Sequence, residues 1–222
     1  MGFSEEWDLC YANGNQLSIW PWSDIVSLVN RYCKATISDG GGRVLELGCG
    51  AGANIPLFLH LGADYYAIDG SATIVAKLHK RYPKLQEKII VGDFTKDIPN
   101  EKFDLIVDRA SLTCNNEKDI IKCLIKSHKQ LISGGKYIGV DWYSTKYSEY
   151  KKGDKAEDKW TRTNFIDGSF ANTGRVHFSD KEHLLKLFKN YKMLYIMHNT
   201  LTNEMLENEW ELASWNFVAE KS

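Results

Sequence analysis

Val44-Leu45-Glu46-Leu47-Gly48-Cys49-Gly50-Ala51-Gly52-Ala53-Asn54 runs from an apolar strand through a glycine-rich turn into the start of a helix. Glycine lets the backbone turn sharply and lets a ligand come close to the main chain. The helix start that follows presents unpaired N–H groups. Beyond it, short apolar runs alternate with amphipathic stretches. Asn54 to Leu61 reads as a short helix, Tyr65 to Asp69 as a second strand, and Ser71 to about Tyr82 as a helix. Lys88 to Val91 is a third strand and Phe103 to Asp108 a fourth. Glu117 to Ile132 is a helix ended by Ser133-Gly134-Gly135, and Lys136 to Asp141 a fifth strand. Strands alternating with helices predict right-handed βαβ units on a mostly parallel sheet, an α/β fold.

Upstream, the first forty residues read as a helical, aromatic cap carrying Trp7, Tyr11, Trp20, Pro21 and Trp22. Ser23 is the expected N-cap of a helix holding Ile25, Val26, Leu28, Val29 and Tyr32. Downstream, residues 143–178 are polar and without period, which suits a substrate-binding or lid loop. Ser179 is the expected cap of a last helix to about Asn190. Tyr191 to Thr200 and Trp210 to Val218 read as two closing strands, antiparallel to each other. The expected organisation is therefore one domain over residues 1–222: cap 1–40, core 41–142, loop 143–178, and a closing helix and two strands over 179–222.

The chain has 222 residues, 43% hydrophobic and 26% charged, with a formal net charge of −1. That composition suits one globular domain. It lacks the basic surplus expected of a nucleic-acid enzyme. No apolar run has the length of a membrane span. The start, Met1-Gly2-Phe3-Ser4-Glu5-Glu6-Trp7, has no signal-peptide core and matches a myristoylation signal poorly. The five cysteines form no CxxC pair, which fits reduced cytoplasmic thiols and no metal site.

Two cofactor classes use such a glycine turn. Gly48, Gly50 and Ala53 loosely satisfy the dinucleotide pattern GxGxxA. Glu46, two residues before Gly48, gives Glu-x-Gly-x-Gly-x-Gly and favours the other class, because an acid there suits an ammonium group, present in a methionine moiety and absent from NAD. Asp69, nineteen residues after Gly50, would accept from ribose hydroxyls in either class. Val91-Gly92-Asp93-Phe94 adds an acceptor for an adenine amine and a ring to pack on it. Asp108-Arg109-Ala110-Ser111 ends the fourth strand, where a sulfonium and an acceptor would meet.

With these motifs the chain resembles the class I S-adenosylmethionine-dependent methyltransferases, well over residues 43–141 and loosely elsewhere. The Asp108-Arg109 pair is similar to the small-molecule branch that includes thiopurine and tellurite-resistance methyltransferases. The resemblance implies a Rossmann-like, doubly wound seven-stranded sheet of order 3-2-1-4-5-7-6, with strand seven antiparallel. It implies S-adenosylmethionine as cofactor, with S-adenosylhomocysteine as product. The implied cofactor-binding residues are Trp7, Tyr11, Trp20, Glu46, Gly48, Cys49, Gly50, Asn54, Asp69, Gly70, Ser71, Asp93, Phe94, Asp108 and Arg109.

The methyl on a sulfonium is already electrophilic, so the protein must align the partners and exclude water. A hydroxyl or ammonium acceptor needs a base, and the candidates are Asp108, Asp141 and His177. Arg109, Trp142, Tyr143, Arg175 and His177 are the candidate acceptor-binding residues, the arginines through their forked guanidinium groups. The expected function is O-, N- or S-methyl transfer to a small-molecule acceptor, with no nucleic-acid or membrane partner. Three alternatives stand beside it: an NAD-dependent oxidoreductase or epimerase, a protein or RNA methyltransferase, and a non-catalytic module that binds the cofactor.

Overall fold

The structure is a computed structural model that describes residues 5–15, 17–38, 40–205 and 210–222. Met1–Ser4, examined above for targeting signals, lie outside them. The helices are α1 (Glu5–Ala12), α2 (Ser23–Tyr32), α3 (Lys34–Ser38), α4 (Ile55–His60), α5 (Ala72–Arg81), α6 (Glu117–Gln130) and α7 (Lys181–Leu187). The strands are β1 (Arg43–Leu47), β2 (Asp64–Asp69), β3 (Ile89–Val91), β4 (Phe103–Arg109), β5 (Leu131–Tyr143), β6 (Asp154–Lys155), β7 (Thr161–Thr163), β8 (Val176–His177), β9 (Lys192–Thr202) and β10 (Glu211–Glu220).

Seven strands form one sheet in the order β3-β2-β1-β4-β5-β10-β9. The first five are parallel, and β10 runs antiparallel to both β5 and β9. Numbered within the sheet, this is the 3-2-1-4-5-7-6 arrangement, a Rossmann-like class I methyltransferase fold. Side chains alternate across the sheet, as strand geometry requires. Val44, Leu105, Val107, Ile138 and Val140 pack on one face with Ile25 and Val29 of α2 and Phe58 of α4. Leu45, Leu47, Ile106, Tyr137 and Trp142 pack on the other with Ile120 and Leu124 of α6 and Leu184 of α7.

Three local expectations differ. Ser23 does not cap α2; Trp22 occupies that position without a side-chain cap, and its N–H donates to Asn54 Oδ1 at 3.3 Å. Asp180, not Ser179, caps α7 by accepting from His183 N. The Ser133-Gly134-Gly135 triplet lies inside β5, whose strand begins at Leu131 directly after α6. There Gly134 N donates to Lys221 O, and Lys221 N donates to Gly135 O. That pairing comes from the far end of the chain, so no local signal could show it.

Residues 143–178 are more ordered than their lack of period suggested. β6, β7 and β8 form a small antiparallel sheet. Tyr147, Phe165, Phe170, Val176 and Phe178 make a core beneath it with Ala213 of β10. The aromatics come at irregular spacing, because they pack on one another rather than along one element face.

Candidate active site

β1, β2, β4 and β5 end on the same edge of the sheet, the edge where open α/β sheets bind ligands. The turn after β1 is held by positive φ at Gly48 (70°), Gly50 (49°) and Gly52 (77°), a region open to glycine. A Cβ on Gly48 would lie 2.3 Å from Ser111 Cβ, with Phe94 beside it at 3.6 Å. A Cβ on Gly50 would lie 2.9 Å from the Tyr11 hydroxyl. The glycines thus admit β4's following loop on one side and α1 on the other.

Asp69 closes β2 in a buried position. Its Oδ2 accepts from Gly50 N at 2.8 Å and its Oδ1 from Ser71 N at 2.9 Å. Burial raises its pKa, against the pull of those two donors. Ser71 Oγ accepts from Ile74 N and so caps α5. Asp69 therefore fixes the glycine turn to the start of α5, with Gly70 between them. Asp93 folds back on its own turn, accepting from Thr95 N and Oγ1 and pairing with Lys96 at 3.3 Å.

Glu46 is buried on the α4 side of β1. It accepts from Asn54 Nδ2 at 2.8 Å and from the Tyr65 hydroxyl at 2.6 Å. Desolvation outweighs both bonds and pushes its pKa up to about 7. Asn54 carries the connection on to Trp22 N. Tyr65 was not visible as a partner, since it lies on the next strand and reads locally as strand core.

Asp108 departs from the role of a base. It is fully buried and accepts from Ser111 N, the Ser111 hydroxyl and Leu112 N through Oδ1, and from Trp142 Nε1 at 2.6 Å through Oδ2. Burial lifts its pKa to about 6. With four donors converging on it, Asp108 ties β4 to its following turn. Trp142, expected as an acceptor wall, is buried in the core against Phe188 and Phe217. An irregularity between Gly139 and Trp142, where Asp141 has its positive φ, puts Trp142 on the same face as Tyr137.

His177 is likewise enclosed. It is buried in β8, with Nδ1 3.0 Å from Thr161 Oγ1 and Nε2 3.1 Å from His183 Nε2. Desolvation and the neighbouring imidazole lower its pKa to about 3, and burial lowers that of His183 to about 4. Both rings are neutral at pH 7. Arg175 pairs with Glu157 at 2.5 Å on the surface. Trp20 is 74% exposed, whereas Trp22, 38% exposed, lies against the Arg109 guanidinium.

What the structure does gather is Arg109, Asp141 and Trp22. The Arg109 guanidinium lies 3.5 Å from the Trp22 ring centroid, and its Nη2 is 2.7 Å from Asp141 Oδ2. Asp141 holds φ at 56°, a costly value for a residue with a side chain. Its N–H donates to Asn216 Oδ1 at 2.9 Å, and Asn216 Nδ2 donates to Asp24 Oδ2 at 3.0 Å. Tyr143 is near enough to feel the charges of Arg109 and Asp141. Asn216 and Asp24, 192 residues apart, carried no sequence signal.

The cleft fits an adenosyl sulfonium carrying an amino acid. Arg109 Nε is a buried donor without an acceptor, and a carboxylate would supply one. Glu46 and Asp69 are the acids expected opposite an ammonium and a ribose. Among the described residues no group of three or more His, Cys, Asp and Glu side chains could hold a metal ion. Nor is any helix among them long and apolar enough to cross a membrane.

Residues 45–139 match the family model described as a methyltransferase domain. No curated protein matches the chain in sequence. Among solved structures, TehB from Haemophilus influenzae is 18% identical with a TM-score of 0.64, covering 97% of this chain and 67% of TehB. A S-adenosylmethionine-dependent methyltransferase from Methanosarcina mazei is 15% identical with a TM-score of 0.66, covering 92% and 99%. A putative sarcosine dimethylglycine methyltransferase from Galdieria sulphuraria is 12% identical with a TM-score of 0.65, covering 98% of both chains. Residues 45–139 thus carry a methyltransferase domain, set on the β3-β2-β1-β4-β5-β10-β9 sheet, and its cofactor is S-adenosylmethionine.

Proposed function

We propose that this methyltransferase acts on a small-molecule acceptor held at the Arg109–Asp141–Trp22 group, with Tyr143 beside it. The observation that carries the reading is Asp141: a left-handed residue at the tip of β5, with one carboxylate oxygen on Arg109 and its N–H anchored by Asn216. Strain of this kind persists where the surroundings enforce it and clusters at functional sites. S-adenosylmethionine supplies an electrophilic methyl. The acceptor–carbon bond forms as the sulfur–carbon bond breaks, and a hydroxyl or amine acceptor passes its proton to Asp141. Asp108 and His177 are too enclosed to share that task. The similar proteins include more than one kind of methyltransferase, and the labelled product identifies the atom methylated. The same reading puts the enzyme in the cytoplasm, where its free thiols stay reduced, and without nucleic acid.

The test is methyl transfer from isotopically labelled S-adenosylmethionine into a metabolite extract, with products identified by mass spectrometry. A labelled small product, made at least about a hundredfold more slowly by Asp141→Asn, is expected. Label appearing only in protein or RNA would overturn the small-molecule reading.

A further inference from the structure

α1 is fastened across the cofactor cleft at two points, neither of which the sequence singled out. Asp8 accepts from the Ser71 hydroxyl and from Thr73 N at 3.2 Å through Oδ1, and from Thr73 Oγ1 at 3.0 Å through Oδ2. One turn on, Lys77 Nζ of α5 donates to Tyr11 O at 2.8 Å. These are the start and middle of α5, the helix whose cap Ser71 also donates its N–H to Asp69. Between the two fastenings, Tyr11 is carried inward to 8% exposure, with its hydroxyl over Gly50. Cys49, in the same turn, is 5% exposed.

We infer that Asp8 is a positioning residue for the cofactor: it clasps α1 to the first turn of α5 and so holds Tyr11 as the outer wall of the chamber over Gly50 and Asp69. The bonds join α1 to the one helix whose N-terminus borders the ribose carboxylate. A ligand in the chamber would therefore leave only after the clasp opens. Closure of this kind excludes water and commits the bound cofactor.

The test measures S-adenosylhomocysteine, the product, binding to the full chain. Release is followed by stopped flow, and Cys49 exposure by thiol alkylation with peptide mapping, with and without that ligand. Asp8→Ala removes the clasp at Ser71 and Thr73. Lys77→Met removes the second fastening and touches neither Ser71 nor Asp69. Both variants are expected to speed release, Asp8→Ala by about tenfold, the worth of one or two lost hydrogen bonds. Both are expected to speed alkylation of Cys49, while Cys33 and Cys123, buried in the core, stay protected. Unchanged release in both variants would overturn the inference. So would faster release in Asp8→Ala alone with Cys49 still protected, since that result marks local damage at Ser71 rather than an opened wall.

Discussion

Trp142 Nε1 donates to Asp108 Oδ2 at 2.6 Å, joining the ends of β4 and β5 inside the core. The bond gives a buried carboxylate a strong donor, and it explains why an aspartate at a strand tip serves structure here. Trp142→Phe keeps the ring and removes the N–H. One Asp108 oxygen is then buried without a partner, at a cost of about 1–3 kcal/mol. The thermal midpoint should fall by about 3–10 °C. A midpoint equal to that of the wild type would show that Asp108 does not depend on the indole.

The His177–His183 pair sets a pH dependence. Thr161 Oγ1 donates to Asp158, so His177 Nδ1–H donates to Thr161, and His177 Nε2 accepts from His183 Nε2–H. The fold holds both rings neutral, at about 3 and 4, whereas the unfolded chain protonates them near 6.5. The unfolded state takes up protons first, so the pair's contribution falls as pH drops below about 6.5. Around the pair, Asp158, Asp180 and Glu117 favour protonation, while Lys186 and Lys159 oppose it. His183→Gln keeps a donor and cannot charge. Its thermal midpoint should lose less than the wild type's between pH 7.5 and 5; parallel losses would refute the assignment.

Glu46 titrates within the working range, at about 7. Its ionised form attracts an ammonium group, so affinity for S-adenosylhomocysteine should rise with pH through about 7. Glu46→Gln keeps an acceptor for Asn54, offers an N–H to the Tyr65 hydroxyl oxygen, and removes the charge. Calorimetry from pH 6 to 8 should find that variant weaker and its affinity flat. A variant with the same slope as the wild type would remove Glu46 from cofactor recognition.

Gly48 and Gly50 both hold positive φ, yet they differ in what surrounds them. An alanine methyl at 48 meets the Ser111 Cβ, which is fixed by Ser111's bonds to Asp108 and Leu47 O. At 50 it meets only the far end of the Tyr11 side chain. Gly48→Ala should cost more than Gly50→Ala, by about 1–3 kcal/mol, the scale of overpacking. Denaturant midpoints would decide it, and equal losses would mean that φ alone sets the cost.

The cofactor half of the cleft was legible because it is local. Glu46 to Gly52 is one strand and its turn, and Asp69 and Asp93 each follow a short continuous apolar run. The acceptor half was not. Arg109 and Asp141 were named separately, but their pairing depends on β4 and β5 ending side by side. Trp142 was named as an acceptor wall, but the irregularity between Gly139 and Trp142, where Asp141 holds its positive φ, turns the ring to the core. His177 looked available next to a polar loop, and the aromatic core of that loop buries it.

Spacing along the chain settled the alternation of strands and helices, the glycine turn and the acids at the strand tips. These follow from propensity, backbone freedom and periodicity over about ten residues. Which side chains became acceptor groups and which became core was decided only when distant segments met. Asp8 with Thr73, Asp24 with Asn216 and His177 with His183 have no shared pattern in sequence. Burial, hydrogen bonding and charge at each depend on neighbours that only the folded chain brings within reach.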